Sequence, residues 1–132
     1  MTEAQVAAPT AQSNFKNPPK LGAEIHGGKY AGMLTNDDGQ PYLLILLDAK
    51  PAKRMTFEAA TAWASSLGVA LPNRVESAQL FRVLKADFES NWHWTSDLDG
   101  SVAWVQGFDD GKQVWNGVSG KFCARAVRRF VL

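Results

Sequence analysis

The sequence predicts one α+β domain over residues 25–132, preceded by a flexible arm over residues 1–24. Three observations carry that expectation. Two apolar runs flank an Asp/Gly cluster near the start, two stretches of helical periodicity follow, and from Trp92 onward short apolar runs are separated by turn residues. Helices segregated from strands, rather than alternating with them, indicate α+β, here two helices on a small antiparallel sheet with a C-terminal β meander.

Taken in order, residues 1–24 are rich in Ala, Gln, Asn, Lys and Pro and have few large apolar groups. Such a stretch cannot bury enough surface to offset its chain entropy. It is either a flexible leader or a docking arm that orders on a partner. Tyr30–Leu34 and Tyr42–Leu47 then flank Asn36-Asp-Asp-Gly39. This reads as a β-hairpin, because Gly39 can take the positive φ that tight turns require. The second run is apolar at successive positions, so it should be a central strand covered on both faces.

Thr56 can cap the first helix, with Glu58 in its first turn; Phe57, Ala60, Trp63, Ala64 and Leu67 form its apolar face and Gly68 its stop. Asn73 followed three residues later by Glu76 has capping-box spacing. Leu80, Phe81, Leu84 and Phe88 supply the buried stripe of that second helix. The β region comprises Trp92–Ser96, Val102–Phe108, Gln113–Trp115 and Phe122–Arg129, with Asp110-Gly111 marking a hairpin turn and Asn116-Gly117 and Ser119-Gly120 the next punctuation.

A chain of 132 residues suits a single core. Fourteen Lys+Arg against thirteen Asp+Glu leave a net charge of +1, so no global field draws the chain to nucleic acid or an acidic membrane. The longest apolar run, Tyr42–Leu47, is too short to cross a bilayer. The first residues show no basic segment followed by an apolar one. The expectation is therefore synthesis in the cytoplasm without a signal peptide, and no membrane insertion. Cys123 is the one cysteine, which rules out an intrachain disulfide and a multi-thiolate metal site. Flanked by Phe122 and Ala124, it reads as a small buried hydrophobe.

A wider pattern emerges from Leu71-Pro72-Asn73-Arg74, Glu76, Leu80-Phe81, Trp92-His93-Trp94-Thr95-Ser96, Ala103-Trp104-Val105, Phe108, Gly111 and Arg125-Ala126-Val127-Arg128. In this order, across about 100 residues, it resembles the DUF1566 family, whose motifs run RLPT-x-x-E-L, YWSS, AW-x-V-x-F-x-x-G and R-x-VR. The resemblance implies a C-type-lectin-like fold of the formylglycine-generating-enzyme kind, and the stretch Gly27–Gly32 looks most like phage- or prophage-encoded members. It also implies structural roles for Trp94, Trp104, Arg125 and Arg128, with Arg129 more exposed. Many members carry a cysteine pair that this chain lacks, so formylglycine-generating catalysis is not expected. The paired oxygen ligands of calcium-binding lectins are not visible either. Asp97 and Asp99 lie close together, but two carboxylates in a turn are more often solvated than metal-bound.

Catalytic constellations are sparse, and no enzyme activity, cofactor or metal is expected. There is no phosphate-cradling glycine loop, nucleophile elbow or metal-ligand spacing. His26 lies at the edge of the arm. His93 can act as a general base, yet on an alternating strand it should sit on the exposed face opposite Trp92 and Trp94. Five tryptophans are more than a core of this size needs. Trp115 follows Asp109-Asp110-Gly111-Lys112 and precedes Asn116, an aromatic flanked by polar groups that suits a sugar ring or a protein epitope. Two readings stay open: Trp115 is a ligand platform, or it packs across its hairpin. Trp92, His93 and Arg129 complete the candidate surface.

These features predict a non-enzymatic recognition module, of phage or prophage origin, binding a glycan or a protein through loops of a lectin-like domain. The alternative is a tail-associated or decorating subunit of a phage particle, attached to other virion proteins through its arm. A homo-oligomer is left open.

Overall fold

Tyr42–Leu47 organises the fold, because a strand with six consecutive apolar residues needs cover on both faces. In the computed structural model, which describes residues 18–132, all six are buried. The strands β1 (Glu24–Ile25), β2 (Gly28–Thr35) and β3 (Pro41–Leu47) are followed by helices α1 (Phe57–Ser66) and α2 (Arg74–Leu84). A 3-10 turn over Lys85–Asp87 leads to β4 (Trp92–Asp99), β5 (Val102–Gly107) and β6 (Gln113–Gly117), and the last strand is β7 (Val127–Val131). They form two antiparallel sheets, one ordered β1-β2-β3-β7 and the other β4-β5-β6.

Alternation along β3 splits the core in two. Leu43, Ile45 and Leu47 meet Ala60 and Ala64 of α1 and Trp94 and Val105 of the second sheet. Tyr42, Leu44 and Leu46 meet Leu80 and Leu84 of α2 and Phe108. Each fully buried Leu or Ile contributes roughly 1.5–3 kcal/mol of transfer free energy. The helices therefore cover opposite faces of the first sheet.

Local chemistry sets the element ends as the sequence predicts. Asn36 Oδ1 accepts from the N–H groups of Asp38 and Gln40, and Gly39 closes the β2–β3 turn at φ 80°. Thr56 Oγ1 caps α1 by accepting from Ala59 N. The Asn73/Glu76 capping box is complete at 2.8 Å in both directions. Gly32, at φ 110°, lies where the β2–β3 register shifts; Gln79 of α2 donates to the neighbouring Ala31 carbonyl at 2.9 Å. A Cβ on Gly32 would meet that amide at 2.6 Å, so the strand irregularity and the helix position are coupled.

Three expectations need correction. The run Phe122–Arg129 is not a fourth strand of the meander. Phe122 and Cys123 form single bridges to Met55 and His93, and the chain then crosses to the first sheet, where β7 pairs with β3. Unpaired, β3 would be an apolar edge, and β7 removes that edge. Phe88 falls beyond the end of α2, although it remains in the core region, stacked on Phe108 at 3.9 Å between centroids. His26 is half-buried in the β1–β2 turn at φ 51°, stacked on Phe130 at 3.9 Å.

Glu24, the last residue of the expected arm, pairs with Lys29, and Gly22 N–H donates to the Tyr30 carbonyl. The arm up to Asn17 lies outside the described residues. Among the described residues no helix is long and apolar enough to cross a membrane.

Candidate functional site

The predicted site residues divide among three places. Asp109, Asp110 and Lys112 form the β5–β6 turn, where Gly111 has φ 81° and a Cβ would strike the Phe81 ring at 2.7 Å. Much of this turn's polarity is used internally. Asp110 Oδ1 accepts from Lys112 N at 3.0 Å, Asp109 Oδ1 accepts from Asp110 N at 2.8 Å, and Lys85 Nζ donates to the Asp109 carbonyl. The Lys112 N–H holds the Asp110 carboxyl below its ordinary range.

Trp115 is on β6, an edge strand, and keeps 63% of its surface exposed. Directly opposite on β5 is Trp104, edge-on at 5.4 Å between centroids. The Arg74 guanidinium lies over the Trp104 ring at 3.5 Å. Arg74 is fixed in turn: Gln113 Oε1 accepts from its Nε at 3.0 Å, and Asp97 Oδ2 accepts from its backbone N–H at 2.8 Å. Both readings of Trp115 therefore hold together, since it packs across the hairpin and still presents most of its surface. Asn116 does not share that face. It is paired with Ala103, and successive strand residues point to opposite sides. Asp97 serves as a cap on the first turn of α2.

Sequence reasoning missed Arg74 and took Trp104 as purely structural. The signal was available, because a loop placing Gln106 opposite Gln113 puts Trp104 opposite Trp115. Nothing local marked Arg74, which comes from 30 residues away.

Arg129 is exposed as expected, whereas His93 is not. The Arg129 side chain keeps 35% exposure, but its Nε and Nη2 each donate at 2.7 Å to the carboxylate of Glu76, which is fully buried. Tyr42 Oη also donates to Glu76, at 2.7 Å, and Asn73 N–H at 2.8 Å. Burial alone would raise the Glu76 pKa, yet the bonds from Arg129, Asn73 and Tyr42 outweigh it and hold the carboxyl below its usual range. Burial and the Glu76 contact push the Tyr42 phenol up. Arg129 is thus tied through Glu76 into a buried network while part of its side chain stays in solvent.

Trp92 is half-buried against the first core cluster. His93 is buried, contrary to expectation, because β4 is covered on both faces over His93–Thr95. Trp94 points into one cluster, while His93 packs edge-on to Phe88 and Phe108.

His93 lines a cleft of about 480 Å³ between the 50–54 loop, the segment after α2 and Cys123–Arg125. Its Nδ1 lies 3.0 Å from the Asn91 carbonyl, so Nδ1 carries the proton and Nε2 the lone pair. Burial holds its pKa at about 4; the Asn91 contact opposes the shift, and Arg125 and Arg54 add to it. Cys123 bridges His93 through the backbone, but no hydrogen bond joins thiol to imidazole among the described residues. Burial, with Glu89, raises the Cys123 pKa against the pull of Arg54. The pair has the residue types of a nucleophile and base without their activation.

Arg125 forms the wall of this cleft. It is 5% exposed and donates to the carbonyls of Asp87 and Leu47 at 2.6 and 2.9 Å. Its Nε is buried without a partner. Arg128 donates to the His26 carbonyl. Both arginines thus hold backbone, the structural role expected of them.

No protein-family model matches the chain, and no curated protein matches it.

Proposed function

We propose that this chain is a non-enzymatic recognition module that engages a protein partner through the Arg74–Trp104–Trp115 face at the edge of β6. One observation carries the reading: a tryptophan with 63% of its surface in water packs edge-on against a second tryptophan, whose ring is itself covered by an arginine. Tryptophan and arginine dominate the energetic centres of protein interfaces. Preorganisation matters as much as residue type, since a side chain already fixed loses less entropy on binding. An edge strand beside it offers unpaired backbone groups for an added strand.

The residues best suited to chemistry support the non-enzymatic side. His93 is neutral and buried at physiological pH, and the Cys123 thiol is held protonated. Two helices and two antiparallel sheets are compatible with the C-type-lectin-like arrangement that the sequence resemblance implies. With that resemblance, the partner is a phage structural protein or a protein of the infected cell.

Affinity capture from a bacterial extract, with wild type and Trp115→Ala in parallel, tests this. A protein retained by wild type and lost from the variant, with an unchanged circular dichroism spectrum, supports the reading. Equal retention removes the face from consideration. Trp115-dependent binding to a glycan array, with no protein retained, transfers the face to a sugar ligand.

A further inference from the structure

The cleft around Arg125 carries an inference independent of the β6 face. A buried cation is stable when a carboxylate neutralises it; otherwise it bears the cost of leaving water. Among the described residues no carboxylate lies within 4.0 Å of the Arg125 guanidinium. Its partners are two carbonyls and the Phe88 ring, whose centroid is 5.0 Å away, and Nε has none.

Two acids, Asp87 and Asp48, act on Arg125 through their field without an ion-pair contact, and Asp87 is already paired with Lys29. Lys50, Lys53 and Arg54 also line the cleft, so four cations share its lining with two acids, Asp87 and Glu89. His93 adds an uncharged acceptor, Nε2. The volume of about 480 Å³ is in the range of small-molecule sites.

We propose that this cleft binds a small hydroxylated organic anion, its phosphate or carboxylate group facing Arg125 and the 50–54 loop and a hydroxyl donating to His93. The anion supplies the missing counter-charge, and the hydroxyl uses the one uncharged acceptor. Charge-assisted bonds to a guanidinium are about twice as strong as neutral ones, so the headgroup dominates affinity.

The test is a ¹H–¹⁵N NMR titration of the full chain with ribose 5-phosphate, gluconate and, as neutral control, ribose. Saturable shifts confined to residues 50–54, 86–89, 93 and 123–125 with either anion, and none with ribose, are expected. The tighter anion identifies the headgroup. Absence of saturable shifts with both anions, shifts located elsewhere, or equal binding of ribose would overturn the proposal. Because Arg125 variants alter a buried group, the second arm uses Lys53→Glu with Arg54→Glu, both on the exposed loop. Affinity should fall about tenfold or more; unchanged affinity overturns the assignment of the headgroup to this loop.

Discussion

Arg125 and Arg129 lie four residues apart in one C-terminal segment, and each places a guanidinium against the core. Arg129 meets a bidentate carboxylate on Glu76, and that carboxylate accepts four hydrogen bonds in all. Arg125 is more deeply buried, yet it meets only carbonyls and an aromatic ring. The first network is closed: donors, acceptors and charge all balance within the protein. The second balances hydrogen bonds in part and leaves the charge open. A closed network is a structural device, whereas an open one beside a cleft is a place where something else can complete the balance.

The largest effect that tests this contrast is Arg129→Met. It strands a fully buried carboxylate, and a loss of roughly 3–4 kcal/mol is expected in urea unfolding, below the upper limit because the side chain is 35% exposed and water can enter. A loss under about 1 kcal/mol would show that the network is not closed. The same network has an acid limit. The folded Glu76 pKa lies below its unfolded value, so its contribution is present above the unfolded pKa of about 4.3 and is lost as pH falls through the folded one.

His93 sharpens the other side in a different pH window. Its folded pKa of about 4 lies below the unfolded value of 6.5, so the unfolded chain binds more protons between them. Stability should therefore be complete above pH 6.5 and fall by about 3 kcal/mol as pH drops to 4. His93→Gln should abolish that slope in urea unfolding run across the window.

Arg125→Met is expected to cost only about 1 kcal/mol, because the lost carbonyl contacts are offset by removing an unneutralised charge. Losses equal to those of Arg129→Met would break the comparison. The smallest stability effect is expected at Trp115→Ala, within about 0.5 kcal/mol by thermal unfolding, as its outer surface already faces water. A drop of several kcal/mol would show that packing on Trp104 dominates the role of Trp115.

Much of the fold was legible in the sequence where the deciding interactions are short-range. Thr56, Asn73 and Glu76 cap helices within three residues, and Asn36–Gly39 closes its own turn, so their residue types suffice. The apolar run Tyr42–Leu47 announced a central strand. The candidate site was legible only in pieces. Trp115 was found, but its partners Trp104 and Arg74 depend on register and on the approach of a helix end. His93 looked exposed because alternation assumes one open face, and the His93–Thr95 stretch of β4 has none. Glu76 was recognised as a capping residue; its role as counter-ion comes from Arg129, 53 residues away.

The sequence by itself determined the α+β class, the helix caps, the turns at Asn36–Gly39 and Asp110-Gly111 and the apolar strand at the centre, whereas Asn116-Gly117, expected at a turn, ends β6 as strand. Each rests on backbone preferences and hydrophobic period within a few residues. Only the tertiary structure decided that the last strand leaves the meander to pair with β3, and which arginine would find a carboxylate. Those outcomes depend on which distant groups share a low-dielectric interior, where charge pairing carries large energies and sequence spacing carries no information.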